Sequence, residues 1–202
     1  MKRIYITFIV MLAIAAAGCS SEKVKQEELK TATTIGEKAS MELMQTLKAQ
    51  LQQAIQDSGA AYAIRFCNTS ALPLTRKVAF NQPDGVTIKR TSERYRNPVN
   101  APDPLEEEVL ATLAEAYASG KNTGGPLMRT TNENGHRTYH YFKPMIMAEL
   151  CTNCHGQRTS MDSAVVRVLD ERYPDDRAVG YEAGDFRGVI HVVVAQKAVR
   201  RQ

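Results

Sequence analysis

The pattern of apolar and polar positions divides the chain into a leader, a helical half and a later half of mixed elements. Ile4 to Ala17 is an almost unbroken apolar stretch behind the basic pair Lys2 and Arg3. Basic flank, short apolar core and small residues are the pattern of a secretory signal. The run falls short of the roughly 20 apolar residues that span a bilayer as a helix. From Ser20 to Thr34 the chain is polar, and that composition predicts a tether. Ile35 to Ser58 carries Leu43, Leu47, Leu51 and Ile55 at steps of four. This spacing makes one apolar stripe along a helix, which Gly59 is expected to end. Ala60 to Phe80 reads as a second helix, kinked or restarted at Pro73.

Val86 to Lys89 is a short strand. Tyr95 to Pro104 holds three prolines and two asparagines and predicts a loop with no regular element. It runs into a helix start: Asp103 can cap, Pro104 suits the first turn, and Glu106 lies three residues after the cap. That helix should run to about Ser119 and stop at Gly120. Leu127 to Thr131 and Arg137 to Phe142 alternate as strands, and Asn134-Gly135 between them is a hairpin turn signal. Met161 to Tyr173 has helical spacing. Phe186 to Ala195 is a strand with a buried run through Val189, Ile190 and Val192 to Val194. Helices first, then a hairpin and a late strand, predict an α+β domain with an antiparallel sheet.

Composition narrows the function classes. The 202 residues are 43% hydrophobic and 24% charged, which suits one folded domain. The 26 basic and 22 acidic residues are too evenly balanced for a nucleic-acid-binding surface. With no Trp and five Phe, an aromatic platform for bases or sugars is not expected. The leader ends in Ala16-Ala17-Gly18-Cys19, which resembles a bacterial lipobox, with Ala16 where Leu is usual. Cleavage before Cys19 and lipidation of its thiol would tether the protein to a membrane on the periplasmic side. Ser20 after the cysteine leans towards the outer membrane, by analogy with Gram-negative sorting. The expected organisation is a lipoprotein signal at 1–18, a polar tether at 19–34 and the folded domain at 35–202.

Four cysteines organise the chemistry: Cys19, Cys67, Cys151 and Cys154. Cys151-Thr152-Asn153-Cys154-His155 is C-x-x-C-H, the attachment signature of c-type haem. Two thiols at this spacing add to the two vinyl groups of the porphyrin, and the adjacent His155 reaches the iron as proximal ligand. A thioredoxin-like motif would want a βαβ context, and zinc a second pair of ligands, and neither is evident. With lipid on Cys19 and one covalent haem on Cys151 and Cys154, no intrachain disulfide is left. Cys67 then reads either as a buried small hydrophobe or as a thiolate on the sixth iron position. Met128, Met145, Met147, Met161, His136, His140 and His191 are the rival distal ligands.

Several ordered motifs resemble the periplasmic single-haem PAS-like domains, the DUF3365 family. They are Arg90-Thr91-Ser92, Arg96-Asn97-Pro98, Asn100-Ala101-Pro102-Asp103 and Glu107. Ala63-Ile64-Arg65-Phe66-Cys67 matches the family's helix with A-I-x-x-C, and Lys143-Pro144 the proline before the haem motif. Cys151 to Gly156 matches C-x-x-C-H-G. Tyr173-Pro174, Ala178 to Tyr181 and Gly184 to Gly188 match its closing stretch. The resemblance covers Ile35 to Ala195. It implies a PAS-like antiparallel sheet flanked by helices, with a long N-terminal helix and haem held against the sheet. It also implies Cys67 as the axial ligand opposite His155.

Arg90, Arg94 and Arg96 are candidate partners of the haem propionates, because guanidinium pairs well with carboxylate. Tyr139 and Tyr141 share one face of a strand, with His140 on the other, and are candidates to line the haem pocket. The expected function is a lipid-anchored c-type haem protein that passes single electrons or senses redox state. The alternative is a gas or small-ligand sensor whose Cys67 ligand is displaced on reduction. Peroxidase-like catalysis fits least, since no acid–base group is placed for it. Seven residues follow Ala195, so an output is expected to need a separate redox or signalling protein.

Overall fold

The computed structural model describes residues 2–120 and 125–200, with side chains from Glu22 onward. The side chains of the leader and of Cys19 lie outside the described residues. Helix α1 spans Lys2–Phe80, and its dihedral angles leave the helical region only at Gly59, with φ 80 and ψ 175. Such a left-handed φ suits a residue without Cβ. The helix end expected at Gly59 is therefore a kink between two arms. Pro73 sits inside the second arm without breaking it.

The polar stretch expected to be a tether is instead helical, and from Glu28 it is packed. Glu28 is 5% and Ala32 0% exposed. The reason is specific. The Glu28 carboxylate accepts hydrogen bonds from Tyr139 Oη at 2.6 Å, Arg137 Nη2 at 2.5 Å, Gln196 Nε2 at 3.0 Å and Arg200 Nε at 2.8 Å. A polar composition here serves one anchored helix face, and the packed domain begins upstream of Ile35.

Four strands follow: β1 (Val86–Thr91), β2 (Leu127–Glu133), β3 (His136–Ile146) and β4 (Phe186–Ala195). They form one antiparallel sheet in the order β1-β4-β3-β2. Asn134 (φ 52) and Gly135 (φ 79) make the two-residue hairpin turn between β2 and β3. The fold class is α+β, as the sequence predicts. Helix α2 (Pro104–Ala118) begins with the expected capping box between Asp103 and Glu106. The preceding loop is less irregular than expected, because Pro98–Asn100 forms a 3-10 turn capped by the Asn97 side chain. Three short helices complete the chain: α3 (Glu149–His155), α4 (Ser163–Arg172) and α5 (Gln196–Arg200).

Strand alternation assigns two faces to the sheet. Tyr139, Tyr141, Ile190, Val192 and Val194 pack against Ala32, Ile35, Ala39 and Leu43 of α1. Phe142 and Val189 point the other way, onto Val109, Leu110 and Leu113 of α2. Helix α4 lays Val165, Val168 and Leu169 on Ile64 in the second arm of α1. The first arm meets the sheet so closely that a Cβ on Gly36 would lie 2.3 Å from Tyr141 Cγ. Only glycine leaves room for that ring.

Burial by itself raises the Glu28 pKa, but the hydrogen bonds from Tyr139, Arg200, Arg137 and Gln196 outweigh it and lower it to about 2. A depressed carboxylate contributes stability above its unfolded pKa of roughly 4.3 and loses it as pH falls through the folded value. Glu28→Gln is therefore expected to destabilise the fold at pH 7 by about 2 kcal/mol or more, read from urea midpoints. The gap between wild type and variant should narrow between pH 5 and pH 2, and a gap that stays constant would contradict the assignment.

Candidate functional site

The apolar stripe of α1 runs on past the residues that pack against it in the core. Leu43 packs in the core, but Leu47, Leu51 and Ile55, further along the same stripe, line a cavity of about 340 Å³. That volume is within the roughly 300–1,000 Å³ of ligand pockets. The kink at Gly59 folds the second arm back, so that Ala63, Ile64 and Cys67 form a second wall. Thr91, Met145 and Ile190 close the cavity at the sheet, and Leu150, Cys151, Cys154 and His155 of α3 close it on another side.

The structure thus brings Cys67, Cys151, Cys154 and His155 to one cavity from distant parts of the sequence. Cys67, Cys151 and Cys154 are all free thiols. Burial pushes the Cys67 thiol pKa up, and the Arg90 and Arg96 charges pull it down without offsetting that. Burial raises Cys154 similarly. His155 lies well below its ordinary value, first from burial and then from the Arg96 and Arg187 charges, so its ring is neutral. Its Nδ1 lies 2.7 Å from the Ala178 carbonyl oxygen. A carbonyl only accepts, so Nδ1 carries the proton and Nε2 keeps a lone pair for a metal.

The cavity is also cationic. Arg90, Arg96 and Arg187 line it. Arg96 is committed through Nε to Asp176 Oδ2 at 3.0 Å and through Nη2 to the Cys154 carbonyl at 2.5 Å. Arg187 donates to Ser92 Oγ at 2.6 Å. Arg90 Nε is buried with no hydrogen-bond partner. Burial lowers the pKa of the Arg90 guanidinium, as expected for a cation removed from water. A buried donor without a partner costs about 1–3 kcal/mol and suits an anionic group in the cavity.

Three sequence expectations are corrected. Tyr139 and Tyr141 lie on the correct sheet face but at the wrong end of it. They are buried in the core under α1, Tyr139 bonded to Glu28 and Tyr141 against Gly36. The cavity opens beside Met145, four residues or roughly 13 Å further along β3. Arg94 is exposed, stacked on the Tyr181 ring at 3.9 Å, and does not line the cavity. Its expected place is taken by Arg187. The sequence carried that residue inside the Gly184 to Gly188 run, where a strand arginine reads as solvated.

The rival ligands separate as cleanly. Met145 reaches the cavity. His191 follows Ile190 on β4, so alternation turns it to the α2 face. There its Nδ1 meets Glu106 Oε1 at 2.8 Å and its Nε2 meets His140 Nδ1 at 3.0 Å. Met128 packs on the main core, Met161 on the α4 core, Met147 is buried, and His136 is exposed in the hairpin.

Paired thiols one helical turn apart, an imidazole with a free Nε2, a third thiol, and an unpartnered guanidinium together suit a metalloporphyrin that carries carboxylates. A model of the Tll0287-like family matches residues 21–195. Among solved structures, the crystal structure of the cyanobacterial heme-protein Tll0287 is similar at 23% identity, with a TM-score of 0.57. The match covers 84% of this chain and 96% of that chain, and at this identity it speaks for the fold. None of the curated proteins matches. The family match takes in the Arg-Thr-Ser stretch, the Cys67 helix, C-x-x-C-H and β4 together, and so bears out the haem-domain family expected from those motifs. The chain belongs to the Tll0287-like family.

Proposed function

We propose that this chain is a c-type haem protein, lipid-anchored on the periplasmic side, that passes or registers single electrons. One observation carries the proposal: a single cavity gathers Cys67, Cys151, Cys154 and His155 beside the unpartnered Arg90 Nε. The similar solved structure is that of a heme protein, which supports the reading. Haem bound in the cavity supplies a one-electron couple between ferric and ferrous iron.

The chain's own residues then take distinct parts. Cys151 and Cys154 offer thiols for two thioether bonds. His155 Nε2 serves as proximal ligand, with Nδ1–H fixed by Ala178. Cys67 would offer a second donor from the facing wall, and as a thiolate it would favour the ferric state and so lower the potential. Arg90 and Arg187 receive the propionates. Leu47, Leu51 and Ile55 exclude water, which strengthens every charge interaction inside. With His155 and Cys67 both offering donors to the iron, the site would keep little room for a substrate, which favours electron transfer or redox sensing over catalysis. In a second reading Cys67 would yield its place on reduction, with Met145 in the same cavity as an alternative donor, and the protein would sense a small ligand. An unidentified redox or signalling protein completes either role. Lipid on Cys19 holds the chain at the membrane.

Four measurements test this. Protein matured in a cell that assembles c-type haem should keep its haem in acid acetone, with the mass of one haem added. Haem that extracts shows non-covalent binding. Cys19→Ala should release the domain from membranes in soluble form, whereas a variant still bound after high-salt washing places the anchor elsewhere. Cys67→Ser should convert the ferric spectrum from low-spin thiolate type and raise the potential, while His140→Ala, on the opposite sheet face, leaves both unchanged. A wild-type spectrum in Cys67→Ser makes Cys67 a packing residue, and Met145 is then the side chain to test. Rapid carbon monoxide binding by reduced wild type would favour sensing over electron transfer.

A further inference from the structure

The hydrogen bond that orients His155 is shared. His155 Nδ1 lies 2.7 Å from the Ala178 carbonyl oxygen, and Arg96 Nη2 lies 3.2 Å from the same oxygen. Both nitrogens donate there, because the carbonyl can only accept. Arg96 is held in place from two other sides. Its Nη2 also donates to the Cys154 carbonyl at 2.5 Å, and its Nε to Asp176 Oδ2 at 3.0 Å. Asp176 Oδ1 in turn accepts from the Ala178 backbone N–H at 2.8 Å. The Arg96 side chain is 14% exposed and that of Asp176 2%, so water competes little for these bonds. One guanidinium thus ties the C-x-x-C-H turn to the loop that carries the histidine's acceptor.

A ring N–H given to a strong acceptor makes a ligating imidazole more basic and more electron-donating. A carbonyl that also accepts from a cation is a weaker acceptor for its second donor, since the charge-assisted bond takes the larger share of its electron density. With Arg96 in place, His155 gives up less of its Nδ1 proton and donates less charge through Nε2. A weaker donor stabilises ferric iron less.

We propose that Arg96 is a positioning residue that sets the donor strength of His155 by competing for the Ala178 carbonyl, and so raises the potential of the site. This rests on His155 being the iron ligand. It gives Arg96 a role other than the propionate contact expected from the sequence.

The test uses the full-length holoprotein. Arg96→Lys keeps the charge, but one ammonium group cannot bridge Asp176 and two carbonyls as a guanidinium does. The variant is expected to carry full covalent haem, to have a lower midpoint potential, and to show the His155 Nδ1 proton shifted downfield in NMR of the reduced, diamagnetic form. A purely electrostatic role leaves the potential at the wild-type value, and a purely structural one lowers haem content or melting temperature without moving the proton. Either of these outcomes overturns the proposal. Wild type without covalent haem would instead defeat the reading of the function, which separates the two failures. If Arg96→Lys does not accumulate, wild type gives the answer. Its Nδ1 proton should lie upfield of that in c-type cytochromes whose carbonyl accepts from histidine alone, and an equal or downfield position overturns the proposal.

Discussion

The cavity exists because one apolar helical stripe runs on past the residues that pack against it in the core. Ala32, Ile35, Ala39 and Leu43 are matched by the inner face of β3 and β4, and water is excluded there by ordinary packing. Leu47, Leu51 and Ile55 continue the same stripe into the cavity, which Thr91, Met145 and Ile190 close on the sheet side. Exposed to water, such side chains would each forgo roughly 1.5–3 kcal/mol of burial energy. The kink at Gly59 supplies the facing wall, and α3 and the loop after β1 supply the rest. A flat apolar group in that space would complete a core the chain starts and does not finish. Packing and function meet in the same residues, and changes in Leu51 or Ile55 act on both.

Charge gives the cavity its second character. Three guanidiniums line it, while Asp176, buried behind Arg96, balances one of them. Removing a cation from water is costly unless an anion meets it. Arg90 is the sharpest case, with burial depressing its pKa and a buried Nε that finds no acceptor in the protein. Elsewhere the chain satisfies its buried ions thoroughly: Glu106 takes Lys89, His191 and the Asp103 backbone, and Glu28 takes four donors. Against that background the unpartnered Arg90 Nε stands out among the buried polar side-chain atoms of the described residues.

Much of the fold is written in short-range chemistry. The Asp103-to-Glu106 capping box, the Asn134-Gly135 turn and the extent of β4 follow from local rules, and each is where the sequence places it, whereas the break at Gly59 is a kink and not the expected helix end. The motif residues resolve into structural jobs, two of them local and one reaching across the sequence. Thr91 Oγ1 donates to the Asn100 carbonyl, Asn97 caps the 3-10 turn, and Ser92 receives Arg187. What stays hidden depends on distance in sequence. The anchoring of Glu28 needs partners more than a hundred residues away, so its segment reads as polar and free. Tyr139 and Tyr141 were legible as to face but not as to position along the strand, because alternation carries no information about which end the cavity occupies. Arg187 on β4 and the Ala178 carbonyl in the loop before it are hidden for a related reason, since each meets partners more than twenty residues away in sequence.

The fixed first arm of α1 has a mechanical consequence. A helix rises about 1.5 Å per residue, so Glu22 and Leu47 stand roughly 38 Å apart along a rod whose length is set by backbone hydrogen bonds. The four-donor clamp on Glu28 stops that rod from turning about its own axis relative to the sheet. Whatever grips the amino-terminal end of the helix therefore fixes both the height and the compass bearing of the cavity mouth. A flexible linker would let the domain sweep through a sphere about its end, whereas a helix clamped in this way turns and tilts only together with the sheet, like a lamp on a post.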